Sequence, residues 1–299
     1  MRPLYTVATA AALALSTTSA FALTVTNTDN ASTLAAATLG ASSGISIVGA
    51  SESLVGTPTQ QGTFSGFNQT SPTGPTLALE DGIVLTSGLG NFSTTNNTTN
   101  QANVTGTGNP DFAPLVTLAG DNGLSTTHND TNVLSFDFIL DDPTDNAVTA
   151  DFIFGTDEFP TQSVTDIMAI FVNGVNFAFF PNGDLVSNQG GDPNAFFNDN
   201  PVGSDATTGY GLEWNGLTDV FSVTALANGG GAVNTIDIAI ADTSDSIFDS
   251  ALFFSNLQSG TTTTGGGIDP NPVPLPAGLP LMLLGLGAFG WMRRKQKAA

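Results

Sequence analysis

Six carboxylates fall in two short stretches of the chain: Asp157, Glu158 and Asp166 in one, Asp242, Asp245 and Asp249 in the other. Carboxylate and carbonyl oxygens at this density suit Ca2+, a hard cation that takes about 6–8 oxygen ligands. The plainer reading is solvated loop carboxylates, or side chains that accept backbone N–H groups in turns. The spacing fits neither an EF-hand loop nor an RTX repeat, so calcium is inferred from charge balance. The chain carries 26 acidic residues against 5 basic ones, a formal net charge of −21 over 299 residues. The basic residues are Arg2, Arg293, Arg294, Lys295 and Lys297, so everything between lacks an ammonium or guanidinium group.

That absence excludes whole classes of function. Non-specific nucleic-acid binding needs Lys or Arg to neutralise phosphates, so no nucleic-acid partner is expected. Phosphate substrates and anionic lipid surfaces are disfavoured for the same reason. With no cysteine, thiol catalysis, thiolate metal sites and disulfides are ruled out.

Other catalytic arrangements are weak. Asp242-Thr243-Ser244 has the start of an aspartic-protease triplet, but Ser stands where Gly is needed and no second triplet supplies the partner aspartate. Paired carboxylates can hydrolyse glycosides, yet nothing in the spacing selects for this. The single histidine, His128, lies in the polar run Thr126 to Asp130 and reads as a surface residue. Gly229-Gly230-Gly231 is a turn with no lysine to make a phosphate loop. Tyr210 and Trp214, with Asp205 and Glu213 nearby, offer a possible glycan contact through ring stacking and hydroxyl hydrogen bonds; the alternative is that Trp214 packs at a strand end. No catalytic residues and no certain cofactor are assigned.

The elements that carry these residues are mostly strands. Ser32 to Leu39, capped by Asp29 or Asn30 and stopped by Gly40, is the one helix candidate. Ile45 to Val48 and Gly82 to Gly88 read as strands, Thr57 to Thr76 and Asn91 to Gly108 as loops. From Val133 onward apolar residues alternate with polar ones, the period of half-buried antiparallel strands. Asn173-Gly174 between Ile167–Val172 and Val175–Phe180 predicts a hairpin with a type I′ turn. Asn188 to Gly211 reads as a long polar loop. Val220–Leu226, Thr235–Ala241 and Ala251–Leu257 are the last strands, with Asp237 facing out. The expected fold is all-β: an antiparallel, jelly-roll-like β-sandwich with one short N-terminal helix.

The ends read as addresses. Residues 1–22 have the charged start, apolar middle and Ala20-Phe21-Ala22 site of a signal peptide, with cleavage after Ala22. Residues 23–258 form the sandwich domain, 259–272 a flexible Thr/Gly/Pro-rich linker, and 273–299 a tail. The tail joins Val273, Pro274, Leu275, Pro276 and Ala277 to an apolar run ending at Met292 and a basic cluster. The run is roughly 24 Å long as a helix at ~1.5 Å per residue, just short of a full membrane span. This three-part tail resembles the VPLPA variant of PEP-CTERM sorting signals. The resemblance implies signal peptidase and an exosortase-like enzyme as partners, transit through the inner membrane by the C-terminal helix, and delivery to the surface or exopolysaccharide of a Gram-negative bacterium.

The body resembles the choice-of-anchor L domain, roughly from Asn30 to Gln258. The likeness is carried by Leu34 to Gly40, Gly62-Thr63-Phe64, Asp81 to Gly88, Phe154 to Pro160, Trp214 to Thr218 and Ile240 to Ala251. It departs at Thr156-Asp157, and at Asn215 where the family prefers Asp. The family brings no established activity. The sequence is thus read as an exported, non-enzymatic surface or matrix protein, associated with exopolysaccharide or biofilm and stabilised by calcium. The alternatives are a secreted hydrolase of polysaccharide or protein and a glycan-binding adhesin.

Overall fold

The computed structural model describes residues 23–96, 107–160, 165–187 and 193–268. The signal-peptide segment with Ala22, and the tail with Val273 to Ala277 and its apolar helix, lie outside the described residues. Among the described residues no helix is long and apolar enough to cross a membrane.

Strands β1 to β7 are Thr24–Asn27, Ile45–Ile47, Ser53–Val55, Gln61–Ser65, Asn68–Gln69, Leu77–Ala78 and Gly82–Thr86. Next come β8 (His128–Leu140), β9 (Ala147–Thr156), β10 (Thr165–Val172) and β11 (Val175–Asn176). The last are β12 (Phe197–Asp199), β13 (Gly216–Thr218), β14 (Phe221–Leu226), β15 (Val233–Thr243), β16 (Ser250–Gly260) and β17 (Gly267–Ile268). Helices α1 (Ala31–Thr38) and α2 (Ala113–Asp121) are short.

One sheet has nine strands, ordered β1-β4-β7-β16-β9-β13-β12, with β14 also on β9 and β17 on β14. The other has six, ordered β11-β10-β15-β8-β2, with β3 also on β8. These two sheets make the expected antiparallel sandwich, but their strand numbers exceed the eight of a jelly roll. The Asn173-Gly174 turn has both residues at positive φ, 52° and 77°, as a type I′ turn requires.

Apolar side chains fill three layers. Between the sheets, Leu134, Phe136, Ile236 and Ile238 meet Phe152, Phe154, Leu252 and Phe254. Outside the nine-stranded sheet, Val84, Ile153 and Phe253 are covered by Phe67, Leu77, Tyr210 and Trp214 from the long loops. Outside the six-stranded sheet, Val133, Ala169 and Ala239 are covered by Leu115 and Ala119 of α2. The expected alternation therefore holds only in part. It runs from Leu134 to Leu140 in β8 and from Val233 to Ile238 in β15, whereas all eight residues of β10 are buried. A strand covered on both faces loses its period-2 signature.

Asn30 caps α1 by accepting from the Thr33 N–H at 2.9 Å. Gly40 is needed for close approach rather than for a left-handed turn: a Cβ there would lie 2.5 Å from Asn256 Oδ1. Helix α2 corrects the expectation of a single helix. Its nine residues bury only Leu115 and Ala119, four apart, too few for a clear helical period. The polar run before Val133 is also strand, since β8 begins at His128 and pairs with Thr243 of β15. The linker departs from a free tether: Gly267 and Ile268 form β17 on Thr224 and Val223.

Phe253 is the hub of the outer layer, in edge contact with Phe64, Phe67, Phe92 and Trp214 at centroid distances of 5.5, 4.8, 5.6 and 5.6 Å. Phe253→Ala should cost about 3–5 kcal/mol, read in a thermal melt as a fall of roughly 10 °C. An unchanged melting temperature would show that this layer contributes little to the fold.

Candidate functional site

The two acidic stretches are one cluster. Asp157 and Glu158 follow directly from β9, Asp166 is the second residue of β10, and Asp242 stands opposite it on β15. Asp245 lies in the β15–β16 connection and Asp249 immediately precedes β16. The Asp157 N–H donates to the Asp249 carbonyl at 3.1 Å, tying the first stretch to the second. All these positions lie at the same end of the sandwich, because β9 ends where β16 begins: Thr156 pairs with Ser250.

A seventh carboxylate, Asp130, joins from β8. The β8–β15 register slips between Ile240 and Asp242, so Asp130 and Thr131 together face Ala241. Asp130 sits at the slip with φ 50°, and Ser244, just beyond, has φ 78°. Bulges of this kind re-aim a side chain. Asp130 was read as part of a polar loop; a bulge depends on the partner strand and leaves no mark in the local sequence.

Six of the seven are sealed from solvent: Asp157, Glu158 and Asp242 are 0 % exposed, Asp249 1 %, Asp130 and Asp166 2 %. Some oxygens have donors. Ser250 Oγ donates to Asp166 Oδ2 at 2.5 Å, the Thr107 N–H to Asp130 Oδ1 at 2.7 Å, and the Asn215 N–H to Asp157 Oδ1 at 3.1 Å. Neither carboxylate oxygen of Asp249 has a hydrogen-bond partner. Gly88 makes room for it, since a Cβ there would come within 2.2 Å of Asp249 Oδ2.

Burial and the charges of their neighbours raise four of these groups, Glu158, Asp166, Asp242 and Asp249, and favour their proton-bearing form. Asp249 is pushed up to about 10, first by burial and then by the charges of Asp242, Asp157 and Asp130. Glu158 is pushed up to about 8 by burial, Asp245 and Asp157. Asp166 is held well above the usual range by burial and then by Asp242. Asp242 is likewise raised by burial and then by the charges of Asp130 and Asp245. The cluster can therefore be neutralised by protons or by cations that prefer oxygen ligands. Among the described residues no three of these groups converge tightly enough to hold an ion as they stand, so a cation would have to draw them together.

The remaining candidates fall elsewhere. Tyr210 and Trp214 are 0 % and 1 % exposed, which withdraws them as a stacking surface for sugars. Tyr210 Oη donates to the Pro75 carbonyl at 3.1 Å, and Trp214 packs edge-on against Phe92 at 4.5 Å. His128 is 7 % exposed, not a surface residue, and burial lowers its pKa against the opposing charge of Asp111. Asn215, where the resemblance expects Asp, donates both its backbone N–H and its side-chain amide to Asp157. An aspartate there would add another like charge.

A family model, the choice-of-anchor L domain, matches residues 24–259 and so spans the whole cluster. No curated protein and no solved structure matches the chain.

The raised carboxyls fix the sign of the pH dependence. Unfolded, they release their protons near pH 4; folded, Glu158 and Asp249 keep theirs to about 8 and about 10. The folded chain thus binds more protons across this window, and stability is lost as pH rises through it. In EDTA the melting temperature should fall steadily from about pH 5.5 to about pH 9, Asp249 alone contributing up to about 1.4 kcal/mol per pH unit. A melting temperature that rises over this range would contradict the buried, proton-bearing cluster.

Proposed function

Since the chain belongs to the choice-of-anchor L family, we propose that it is an exported, non-enzymatic protein of the cell surface or extracellular matrix, its acidic cluster stabilised by Ca2+. The observation that supports this best is the sealing of the carboxylates. A general acid or base must come within hydrogen-bond reach of its substrate, and a glycosidase needs its two carboxyls on either side of a bound sugar. Six of the seven groups are at most 2 % exposed. A cavity of about 360 Å3 lies between β1, the end of α1 and β4, and none of the seven lines it.

Delivery belongs to the two ends of the chain. In this reading signal peptidase cuts after Ala22, the apolar run from Ala277 to Met292 halts in the inner membrane, and an exosortase-type enzyme cuts near Val273 to Ala277. The body is then released into exopolysaccharide, where an acidic surface can share divalent ions with acidic sugars. The order of motif, apolar run and basic end supports this route.

Two measurements test the proposal. Cells making the chain without Val273–Ala277 should retain it at the inner membrane, while wild type fractionates with the matrix. Equal distribution of the two forms would remove the sorting reading. For the cation, a melt in millimolar CaCl2 should run about 5–10 °C above one in EDTA, as expected for an ion at roughly 100 times its Kd. Superimposable melts would remove calcium.

A further inference from the structure

We infer that Asn228, in the β14–β15 connection, is a site of spontaneous covalent modification. Its side-chain amide is lost through a cyclic imide, leaving aspartate or β-linked isoaspartate at that position. The only co-reactant is water, and the inference is independent of the cation reading above.

The chemistry is intramolecular. The backbone nitrogen of the following residue gives up its proton and attacks the Asn Cγ. The new N–C bond closes a succinimide ring, and the amide nitrogen leaves as ammonia. Water then opens the ring at one carbonyl or the other. A glycine after the Asn favours closure, because it has no Cβ to obstruct the approach. Both reacting groups must also be free to meet, the amide to swing and the N–H to lack an acceptor.

Five Asn-Gly pairs occur in the chain, at Asn122, Asn173, Asn182, Asn215 and Asn228. Four are held. Asn122 Nδ2 donates to the Leu118 carbonyl at 2.8 Å, and the Gly123 N–H to the Gly120 carbonyl at 3.1 Å. Asn173 Nδ2 donates to Asn234 Oδ1 at 2.9 Å, and its Oδ1 accepts the Thr235 N–H at 3.1 Å. Asn182 holds Asp184 through both ends of its amide, at 2.8 and 3.0 Å, and the Gly183 N–H donates to the Phe180 carbonyl at 2.8 Å. Asn215 accepts from Asn96 Nδ2 and donates to the Asp157 carbonyl, while Gly216 is paired on both sides, with Asp199 and Thr156.

Asn228 differs on each count. Its side chain is exposed and has no hydrogen-bond partner among the described residues, and the Gly229 N–H has no acceptor there. Gly230 and Gly231 follow at φ 68° and 80°. What is anchored is the Asn228 backbone: its N–H donates to Asn234 Oδ1 at 2.7 Å and its carbonyl accepts from Asn234 Nδ2 at 3.0 Å. Asn234 is fully buried and is also bonded by Asn173. A β-linked residue lengthens the main chain between those two anchors, so the modification acts on a contact shared with the β10–β11 turn.

The full chain, kept folded at about pH 8 and mapped by mass spectrometry at intervals, should exchange NH2 for OH at position 228 at least about tenfold faster than at the other four, since reaction there waits on no local opening. Equal rates, or a faster site among the four, overturn the inference. In urea the five rates should converge; a spread that persists there is owed to local sequence and not to the fold, and overturns it too. Fragmentation should find isoaspartate beside aspartate, whereas aspartate alone overturns ring closure. Asn228→Gln should abolish the early acidic species in isoelectric focusing, and their persistence would place the fast site elsewhere.

Discussion

Everything at one end of this molecule depends on keeping like charges together without a cationic side chain. Asp166 and Asp242 stand directly opposite across neighbouring strands, an arrangement that is destabilising when both are ionised. An ionised carboxylate taken out of water costs several kcal/mol unless it is paired. The fold nonetheless closes over six of them. It can do so because β10 is buried along its whole length and β15 through its second half, so that packing on both faces holds the pair in place.

A belt of amides surrounds the cluster and takes up the backbone groups that the carboxylates do not. Gln60 Nε2 donates to the carbonyls of Asp130 and Ser87 at 2.9 and 3.2 Å. Asn132 Nδ2 reaches the carbonyls of Gln60 and Thr86, and Asn109 Nδ2 the carbonyl of Thr131. These amides give donors without adding charge, so the belt does not compensate the carboxylates. It fixes the loops around them, which leaves the net charge of the centre to protons or metal. The lack of Lys and Arg is thus a property of the site as much as of the surface.

The sequence carried much of this. Alternation located β8, β9 and β15, and the Asn-Gly pair gave the β10–β11 turn, because these depend on local periodicity and on φ alone. Six of the seven carboxylates stood out as residue types in clusters. What could not be read was their union, which needs the β10–β15 register and the β9–β16 contact to bring Asp166 beside Asp242 and Asp157 beside Asp249, pairs far apart in the chain. Asp130 was hidden for the same reason, as was α2, whose two buried residues make sense only against the face of β10, β15 and β8. Trp214 and Tyr210 had composition that suits either a sugar platform or a core, and only the covering of the nine-stranded sheet separates the two.

The docking of β17 on β14 has a mechanical meaning. A pull applied at Ile268 does not reach β16 directly. Force arrives first at two residue pairs, Val223 with Ile268 and Thr224 with Gly267, which can only peel one after the other. Once they part, the load meets Thr262, whose carbonyl and N–H are both held by the Asn146 side chain at 3.0 and 2.7 Å, and only then β16, which pairs with β7 and β9. A weak clasp in front of a strong strand lets the C-terminal end of the domain yield a little before its core, and the acidic centre at the far end of β16, carries any strain.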